Sequence, residues 1–220
     1  MTRIIIFYVS LTLIMLFIAK FLRSAHFKGK MGESGVKIFL PKFLRSDEYH
    51  FINDVILRTP DGTTQIDHVI VSPYGIFVIE TKNMNGWIFG TEKDKFWTQK
   101  IYNNSQRFQN PLHQNYKHTE TLRVLLGLEK RFIHSLVVFT GDGEFKTQRP
   151  ENVFTSIRSC AKYILSKTEK VFDTQKMEEI IEKIKNSCLE PSLKIRRQHI
   201  QSLRNKKGGK NVNRSFQENT

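Results

Sequence analysis

The longest uninterrupted apolar stretch of the chain lies at residues 4–18, which contain no charged side chain. With Ala19 and the aliphatic stem of Lys20, it approaches the ~20 residues that a helix needs to cross a bilayer. Several basic residues follow the stretch, only Arg3 precedes it, and no small-x-small cleavage site follows. The pattern predicts an uncleaved transmembrane helix within residues 1–25, with the C-terminal bulk in the cytoplasm. A cleaved signal peptide is the alternative.

Alternating apolar and polar residues indicate a group of strands before residue 100. Residues 53–58 have the pattern of a strand end, and Pro60-Asp61-Gly62 is a strong turn signal. Two β-rich runs flank Pro73-Tyr74, and two shorter strand-like runs come after them: 65–72, 75–82, 86–90 and 96–100.

Helical periodicity begins at Asn110, which can cap a helix that has Pro111 in its first turn. Five residues recur at near-helical spacing after this cap: Leu112, Tyr116, Thr119, Leu122 and Leu126. Residues 135–140 are typical of a buried strand, and residues 156–188 are helical in pattern, most clearly over 173–185. The order strands, helix, strand, helices predicts a mixed α/β domain.

Composition permits a real core and indicates a polyanionic partner. Hydrophobic residues make up 39% of the chain, and the formal net charge is +14. Residues 190–220 carry eight Lys or Arg against two acids, and we expect them to form a basic, disordered tail. A charge excess of this size favours nucleic acid or an acidic lipid leaflet as the partner.

Other chemistries have little support. Cys160 and Cys188 have no zinc-type spacing, and we expect two reduced thiols in or near a core. The chain has no GxxxxGK[ST] loop, so no nucleotide cofactor is expected. It also has no G-x-S-x-G elbow for acyl transfer.

Three charged residues interrupt the two β-rich runs: Asp67, Glu80 and Lys82. Strand alternation puts Gln65 and Asp67 on one face of the first run, and Glu80 and Lys82 on one face of the second. If Pro73-Tyr74 forms a two-residue loop, Asp67 lies opposite Glu80, with Cβ atoms about 4.5–5.5 Å apart. A type I turn with a G1 bulge is the alternative, and it would slip the pairing by one residue and separate the faces.

Adjacent carboxylates repel each other, so one of the pair would hold a proton without compensation. A divalent ion that prefers oxygen ligands, typically Mg²⁺, removes this penalty and lowers the pKa of bound water. In such a site Lys82 would position or activate the nucleophile. The structural alternative is the exposed polar face of a hairpin.

These residues belong to an ordered series of motifs. The series comprises KGKMGESGV at 28–36, QIDHV at 65–69, GIFVIETK at 75–82, then Gly86, Trp97 and QNP at 109–111. It resembles the NERD domain, the nuclease-related domain, which belongs with the PD-(D/E)xK superfamily of restriction-endonuclease-like folds. The resemblance covers about residues 29–141. One departure is Ile66, since the superfamily often has Pro before the aspartate but tolerates its loss.

The resemblance implies roles for seven residues. Four would be catalytic and three would face substrate: Glu33, Asp67, Glu80 and Lys82, then Gln65, Gln109 and Gln114. Asp67 and Glu80 would be the ligands of Mg²⁺ or Mn²⁺, Lys82 the catalytic lysine, and Glu33 an acid from the first helix that supports the metal or its water. His68 is on the opposite face from Asp67, and we expect it to be structural.

The sequence therefore predicts a bacterial, single-pass membrane protein with a cytoplasmic nuclease domain. Its parts are a transmembrane anchor at 1–25, a NERD domain at 29–141, a helical extension at 142–189 and the basic tail at 190–220. The expected fold is a restriction-endonuclease-like mixed sheet flanked by helices, and the expected reaction is Mg²⁺-dependent hydrolysis of DNA phosphodiester bonds. The alternatives are a non-catalytic nucleic-acid-binding module and a membrane-associated scaffold or stress protein that uses its tail.

Overall fold

A computed structural model describes residue 8 and residues 10–16, 25–45 and 47–189 of the chain. Within these residues, no helix combines the length and apolar character needed to span a membrane. Most of the predicted anchor at 1–25, and the whole tail at 190–220, lie outside the described residues. Residues 10–16 of the predicted anchor are helical.

Strands and helices follow one another through the described domain. The strands are β1 (His50–Thr59), β2 (Gly62–Ser72), β3 (Gly75–Lys82), β4 (Gly86–Phe89), β5 (Phe96–Ile101), β6 (Asn104–Gln109), β7 (Ile133–Phe139), β8 (Gly143–Phe145) and β9 (Val153–Phe154). The α-helices from residue 25 onward are α1 (Ala25–Phe39), α2 (Pro111–Leu126), α3 (Ile157–Leu165) and α4 (Thr174–Ser187).

The central sheet has five strands in the order β1-β2-β3-β7-β9. The first three strands are antiparallel, whereas β7 runs parallel to both β3 and β9. The mixed α/β prediction is therefore confirmed, and the strands predicted at 65–72, 75–82 and 135–140 correspond to β2, β3 and β7. β3 lies in the middle of this sheet, so its residues are covered on both faces.

The turn between β2 and β3 sets the register of the site. Ser72 pairs with Gly75 across a two-residue loop, and pairing continues regularly as far as His68 with Ile79. The two-residue loop and the register it sets are thus confirmed for residues 68–72 and 75–79, and the bulged alternative at this turn is wrong. The ladder ends one position before Asp67 and Glu80, so the two strands separate where the acidic side chains begin.

Helices cover both faces of the central sheet. On one face, α2 and α4 pack on Val69, Val71 and Val78 of the sheet. On the other face, α1 and α3 pack on a second apolar cluster that includes Phe77. Free Cys160 is buried in this second cluster and free Cys188 packs at the edge of the first, as the sequence predicted for two thiols.

A second sheet of four strands has the order β6-β5-β4-β8. Its core is formed by Ile88 and Trp97, which are fully buried against Phe139 of β7. The sequence predicted β4 and β5 but not the rest of this sheet. β6 reads NSQRFQ and is almost wholly exposed, so its strand form depends on pairing with β5 rather than on an apolar pattern.

The helix cap predicted at Asn110 is confirmed, because its Oδ1 accepts a hydrogen bond from the backbone N–H of Leu112 at 2.9 Å. The predicted inward face of α2 is partly wrong. Tyr116 is 54% exposed, whereas Asn115 and His118 are buried together with Leu122. With Thr119, three polar residues are thus buried on the helix that covers β3.

Candidate active site

The end of β3 brings a buried acid next to a lysine. Ile76 and Val78 pack towards α2, and alternation along the strand carries Glu80 and Lys82 to that same face. Lys82 Nζ lies 2.5 Å from Glu80 Oε1, and it donates a hydrogen bond to Gln114 Oε1 at 3.1 Å. Glu80 is only 2% exposed, so this pair lies in the interior with one amide from α2 beside it.

His118 of α2 lies against the other oxygen of Glu80. Its Nε2 is 3.3 Å from Glu80 Oε2, and its Nδ1 is 2.8 Å from Thr64 Oγ1. The first contact is poorly aligned, so among the described residues the buried Glu80 Oε2 has His118 beside it and no well-formed hydrogen bond. An acceptor left in this state is costly in a protein interior.

Asp67 reaches β3 from the point where the ladder ends. Its Oδ2 accepts a hydrogen bond from the backbone N–H of Thr81 at 2.8 Å, next to Glu80 in the chain. Burial raises the pKa of Asp67 well above its usual value, and the charge of Glu80 raises it further. The hydrogen bond from Thr81 opposes this shift without cancelling it.

Glu80 and Lys82 hold their charges despite burial. Burial by itself would raise the pKa of Glu80, but Lys82 and His118 outweigh it and the pKa is lowered. Burial would likewise lower the pKa of Lys82, yet Glu80 and Asp67 outweigh it and the pKa is raised. The two carboxylates therefore differ: Glu80 is held as an anion, whereas Asp67 is pushed towards its protonated form.

Glu33 approaches from α1. Burial raises its pKa, and the charges of Asp54 and Glu80 raise it further, so it lies within electrostatic reach of Glu80. Gly32 permits this approach. A Cβ at Gly32 would lie 2.7 Å from Thr140 Oγ1 and 2.8 Å from Asn83 Cβ, so a larger residue would push α1 away from the sheet.

Residues 28–140 match the family of the nuclease-related domain. The chain belongs to the NERD family. The matched region runs from α1 to the end of β7, so it contains Glu33, Asp67, Glu80 and Lys82. The NERD domain is of the PD-(D/E)xK kind.

An uncharacterised protein of Bacillus anthracis is 48% identical to the chain over 100 residues. The alignment covers 45% of this chain and 47% of the relative, so the chain spans about half the length of the curated relative that it matches. No solved structure matches the chain.

The NERD domain brings one of the three predicted substrate-facing residues, Gln114, to the acid–lysine group. Gln114 contacts Lys82 directly, and Gln65 is half-buried on β2, two residues before Asp67. Gln109 is exposed at the end of β6, opposite Phe96. Among the described contacts, none joins Gln65 or Gln109 to the acid–lysine group.

His68 is structural in this NERD domain, as predicted. Its Nδ1 lies 2.7 Å from Asn53 Oδ1, and the residue is 3% exposed. Burial lowers the pKa of His68 to about 4, so the ring is neutral at physiological pH.

Sequence reasoning missed three polar residues that support the site. Thr64 and His118 connect β2 and α2 to Glu80, and Asn115 ties α2 to the sheet. The Asn115 side-chain amide donates to the carbonyls of Val78 and Leu136, on neighbouring strands. The sequence did contain a sign of these residues. Positions 115, 118 and 122 lie on one face of the predicted helix, and two of the three residues are polar.

Asp54 was also missed. The β1–β2 register pairs Asn53 with His68 and Val55 with Ile66, and this places Asp54 beside Asp67. Its φ of 57° lies in the left-handed region, which is uncommon for a residue other than glycine. No sequence pattern predicts such a backbone angle. Residues with uncommon backbone angles often cluster at functional sites.

Two acids of the NERD domain are the candidates for binding a metal ion. Across the described ranges, no group of three or more His, Cys, Asp and Glu side chains is close enough to hold a metal ion. Asp67 and Glu80 could still form a Mg²⁺ site, because Mg²⁺ is commonly bound by one or two carboxylates with water and phosphate oxygens completing its coordination.

Proposed function

We propose that the chain is a membrane-anchored endonuclease that hydrolyses phosphodiester bonds in DNA with Mg²⁺ or Mn²⁺. The observation that carries the proposal is the hydrogen bond that holds Asp67 at the backbone of Thr81, between Glu80 and Lys82 in the chain, where β2 and β3 separate. Membership of a nuclease-related family supports the same chemistry. The fold that goes with this proposal is restriction-endonuclease-like, within the boundaries 29–141.

The donor set fits a divalent cation. Glu80 Oε2 is buried without a well-formed hydrogen bond, and the negative charge of Glu80 raises the pKa of Asp67. A cation between the two acids would satisfy the first group and relieve the second. When bound, it would polarise a phosphate oxygen and lower the pKa of a coordinated water.

Lys82 and Glu33 supply the remaining chemistry. Contacts with Glu80 and Gln114 fix the Lys82 ammonium beside the acids, where it can stabilise negative charge that develops on a phosphate. Glu33 has a raised pKa and lies within electrostatic reach of Glu80, so it is suited to exchange a proton with an attacking water.

A DNA-cleavage assay tests the proposal. The full chain, purified in detergent, is incubated with supercoiled, linear and branched DNA in Mg²⁺, in Mn²⁺ and in EDTA. We expect cleavage that requires either cation. Binding without cleavage would instead favour the non-catalytic module, and binding to anionic vesicles in preference to DNA would favour the membrane-associated scaffold.

We expect His118→Ala to lower the cleavage rate about 10- to 100-fold, the usual effect of removing a residue that orients a metal ligand. The reason is that His118 links Glu80 to Thr64 across the interior. Tyr116→Ala, on the exposed side of the same helix, is the control and should retain full activity. We also expect His118→Ala to need a higher Mg²⁺ concentration for half-maximal activity, which separates loss of positioning from simple loss of fold. Unchanged Mg²⁺ dependence would contradict the assignment.

Deletion of residues 1–25 is expected to release the protein from the membrane fraction. The basis is the uncharged stretch at 4–18 with basic residues after it, which favours a cytoplasmic C-terminal domain. Fractionation of cells that make the full chain or the deletion measures this. Equal solubility of the two proteins, or digestion of the domain by an external protease in intact cells, would refute the proposed topology.

A further inference from the structure

The four-stranded sheet has an aromatic and basic surface on the side away from its core. Ile88 and Trp97 point inward and are fully buried. Trp87 and Phe96 alternate with them, point outward, and are 47% and 37% exposed. We call the outward-pointing set the outer face: Trp87, Phe96, Lys100, Arg107, Glu144 and Lys146.

Strand register places these residues on one surface. Trp87 lies between Lys100 of β5 and Glu144 of β8, with which it pairs directly. Arg107 pairs with Thr98, two residues from Lys100, and so lies on the same side of the sheet. The outer face is therefore a continuous surface across four strands.

Each exposed ring of the outer face has cations beside it. Lys100 Nζ and Lys146 Nζ lie 5.9 Å and 5.0 Å from the ring centroid of Trp87. The Arg107 guanidinium lies 5.0 Å from the ring centroid of Phe96. Glu144 supplies one opposing charge through its contact with Lys146. Three cations against one acid leave this surface positive.

The outer face is close to the candidate active site along the chain. β4 begins at Gly86, four residues after Lys82 at the end of β3. Trp87 is five residues from Lys82, so the backbone between them spans at most about 18 Å. β8 likewise follows the end of β7, the neighbour of β3 in the central sheet.

We propose that the outer face binds unpaired nucleotides, with bases stacked on Trp87 and Phe96 and phosphates contacted by the three basic residues. Flat rings interleaved with cations are the usual surface for single-stranded nucleic acid. This inference rests on the proposed function and deepens it, because it makes the substrate a DNA with a single-stranded segment near the scissile bond. A bilayer would need a continuous apolar stripe, whereas Lys100 and Glu144 flank Trp87.

Tryptophan fluorescence tests the stacking. The chain has two tryptophans, and Trp97 is fully buried while Trp87 is exposed. The full chain is titrated with a short oligothymidylate in EDTA, which prevents metal-dependent cleavage. We expect the oligonucleotide to quench the emission, and Trp87→Phe to abolish most of the quenching while retaining most of the affinity.

Trp87→Ala should weaken single-strand binding about 10-fold, since stacking on one aromatic ring contributes ~1–3 kcal/mol per base. Affinity for a blunt duplex should remain unchanged. Tyr116→Ala is the control, because Tyr116 is also exposed and has a lysine near its ring. Binding is measured by anisotropy of labelled DNA.

The phosphate contacts have a separate readout. Lys100→Gln with Lys146→Gln should reduce the salt dependence of single-strand binding by about 1.4 in log–log slope, at ~0.7 per contact. Lys183→Gln with Lys185→Gln removes the same charge from exposed positions of α4 and should leave the slope unchanged.

Unchanged single-strand affinity in Trp87→Ala would overturn the inference. Quenching of Trp87 by anionic vesicles but not by the oligonucleotide would also overturn it, in favour of a lipid surface. The outcomes are distinguishable from failure of the nuclease proposal. Quenching without cleavage of any DNA in Mg²⁺ supports the outer face alone, and cleavage without any role for Trp87 supports the nuclease alone.

Discussion

Asp67→Asn is expected to reduce the rate of metal-dependent DNA cleavage by about 1000-fold, because it removes one of the two proposed metal ligands. In EDTA, the same variant should be more stable than the wild type at pH 7, by on the order of 1 kcal/mol. The reason is that burial and Glu80 disfavour the Asp67 carboxylate. The asparagine oxygen can still accept the hydrogen bond from Thr81.

The pH dependence of this stability difference follows from the sign of the shift. The pKa of Asp67 is raised in the folded protein, so its contribution to stability is present below the unfolded-state pKa and is lost as pH rises. The gap between Asp67→Asn and the wild type should therefore shrink as pH falls towards 4. Urea unfolding of the full chain in detergent measures it. A variant that is less stable than the wild type at pH 7 would contradict the electrostatics.

Glu80→Gln is expected to do the opposite and destabilise the metal-free protein by about 3 kcal/mol, the scale for breaking a buried ion pair by removing one partner. Glu80 is the partner of Lys82 and also lies against His118, and its pKa is lowered. Its stabilising contribution is present above the unfolded-state pKa and is lost as pH falls. The repulsion that the sequence predicts for adjacent carboxylates therefore raises the pKa of Asp67, whereas Lys82 and His118 outweigh burial at Glu80.

A double variant is the matched control for Glu80→Gln. Glu80→Gln with Lys82→Met removes both charges, and we expect it to recover most of the lost stability because no unpaired charge remains. Urea unfolding in EDTA compares the single variants with the pair. Additive losses would show that Glu80 and Lys82 do not act as an ion pair.

Local patterns explain which parts of the fold could be predicted. Pro73-Tyr74 between two β-rich runs allows a two-residue turn, which sets the pairing of β2 with β3 as far as His68 and Ile79. Strict alternation does not continue to Asp67, because Ile66 and Val69 both join the same core cluster. The Asn110 cap could also be predicted from adjacent residues, because it joins Asn110 to Leu112. The four-stranded sheet could not be predicted in this way. Its strand β8 pairs with β4 after more than 50 intervening residues, and β6 has almost no apolar residues that would mark it as a strand.

The opposite pKa shifts of Asp67 and Glu80 could not be predicted from the sequence. They depend on His118, 38 positions from Glu80, and on Thr64, 54 positions from His118. They depend also on burial, because Asp67 and Glu80 have nearly the same intrinsic pKa. Residue types predict the chemistry of the site, whereas the packing of α2 on β3 decides which acid carries the charge.

The claim that Asp67 and Glu80 hold one catalytic cation is tested most directly by Mn²⁺ titration of the full chain, followed by electron paramagnetic resonance. We predict one bound ion per chain in the wild type and in Lys82→Ala, with binding at least about 100-fold weaker in Asp67→Asn. Absence of binding in the wild type, or equal binding in Asp67→Asn, would contradict the account.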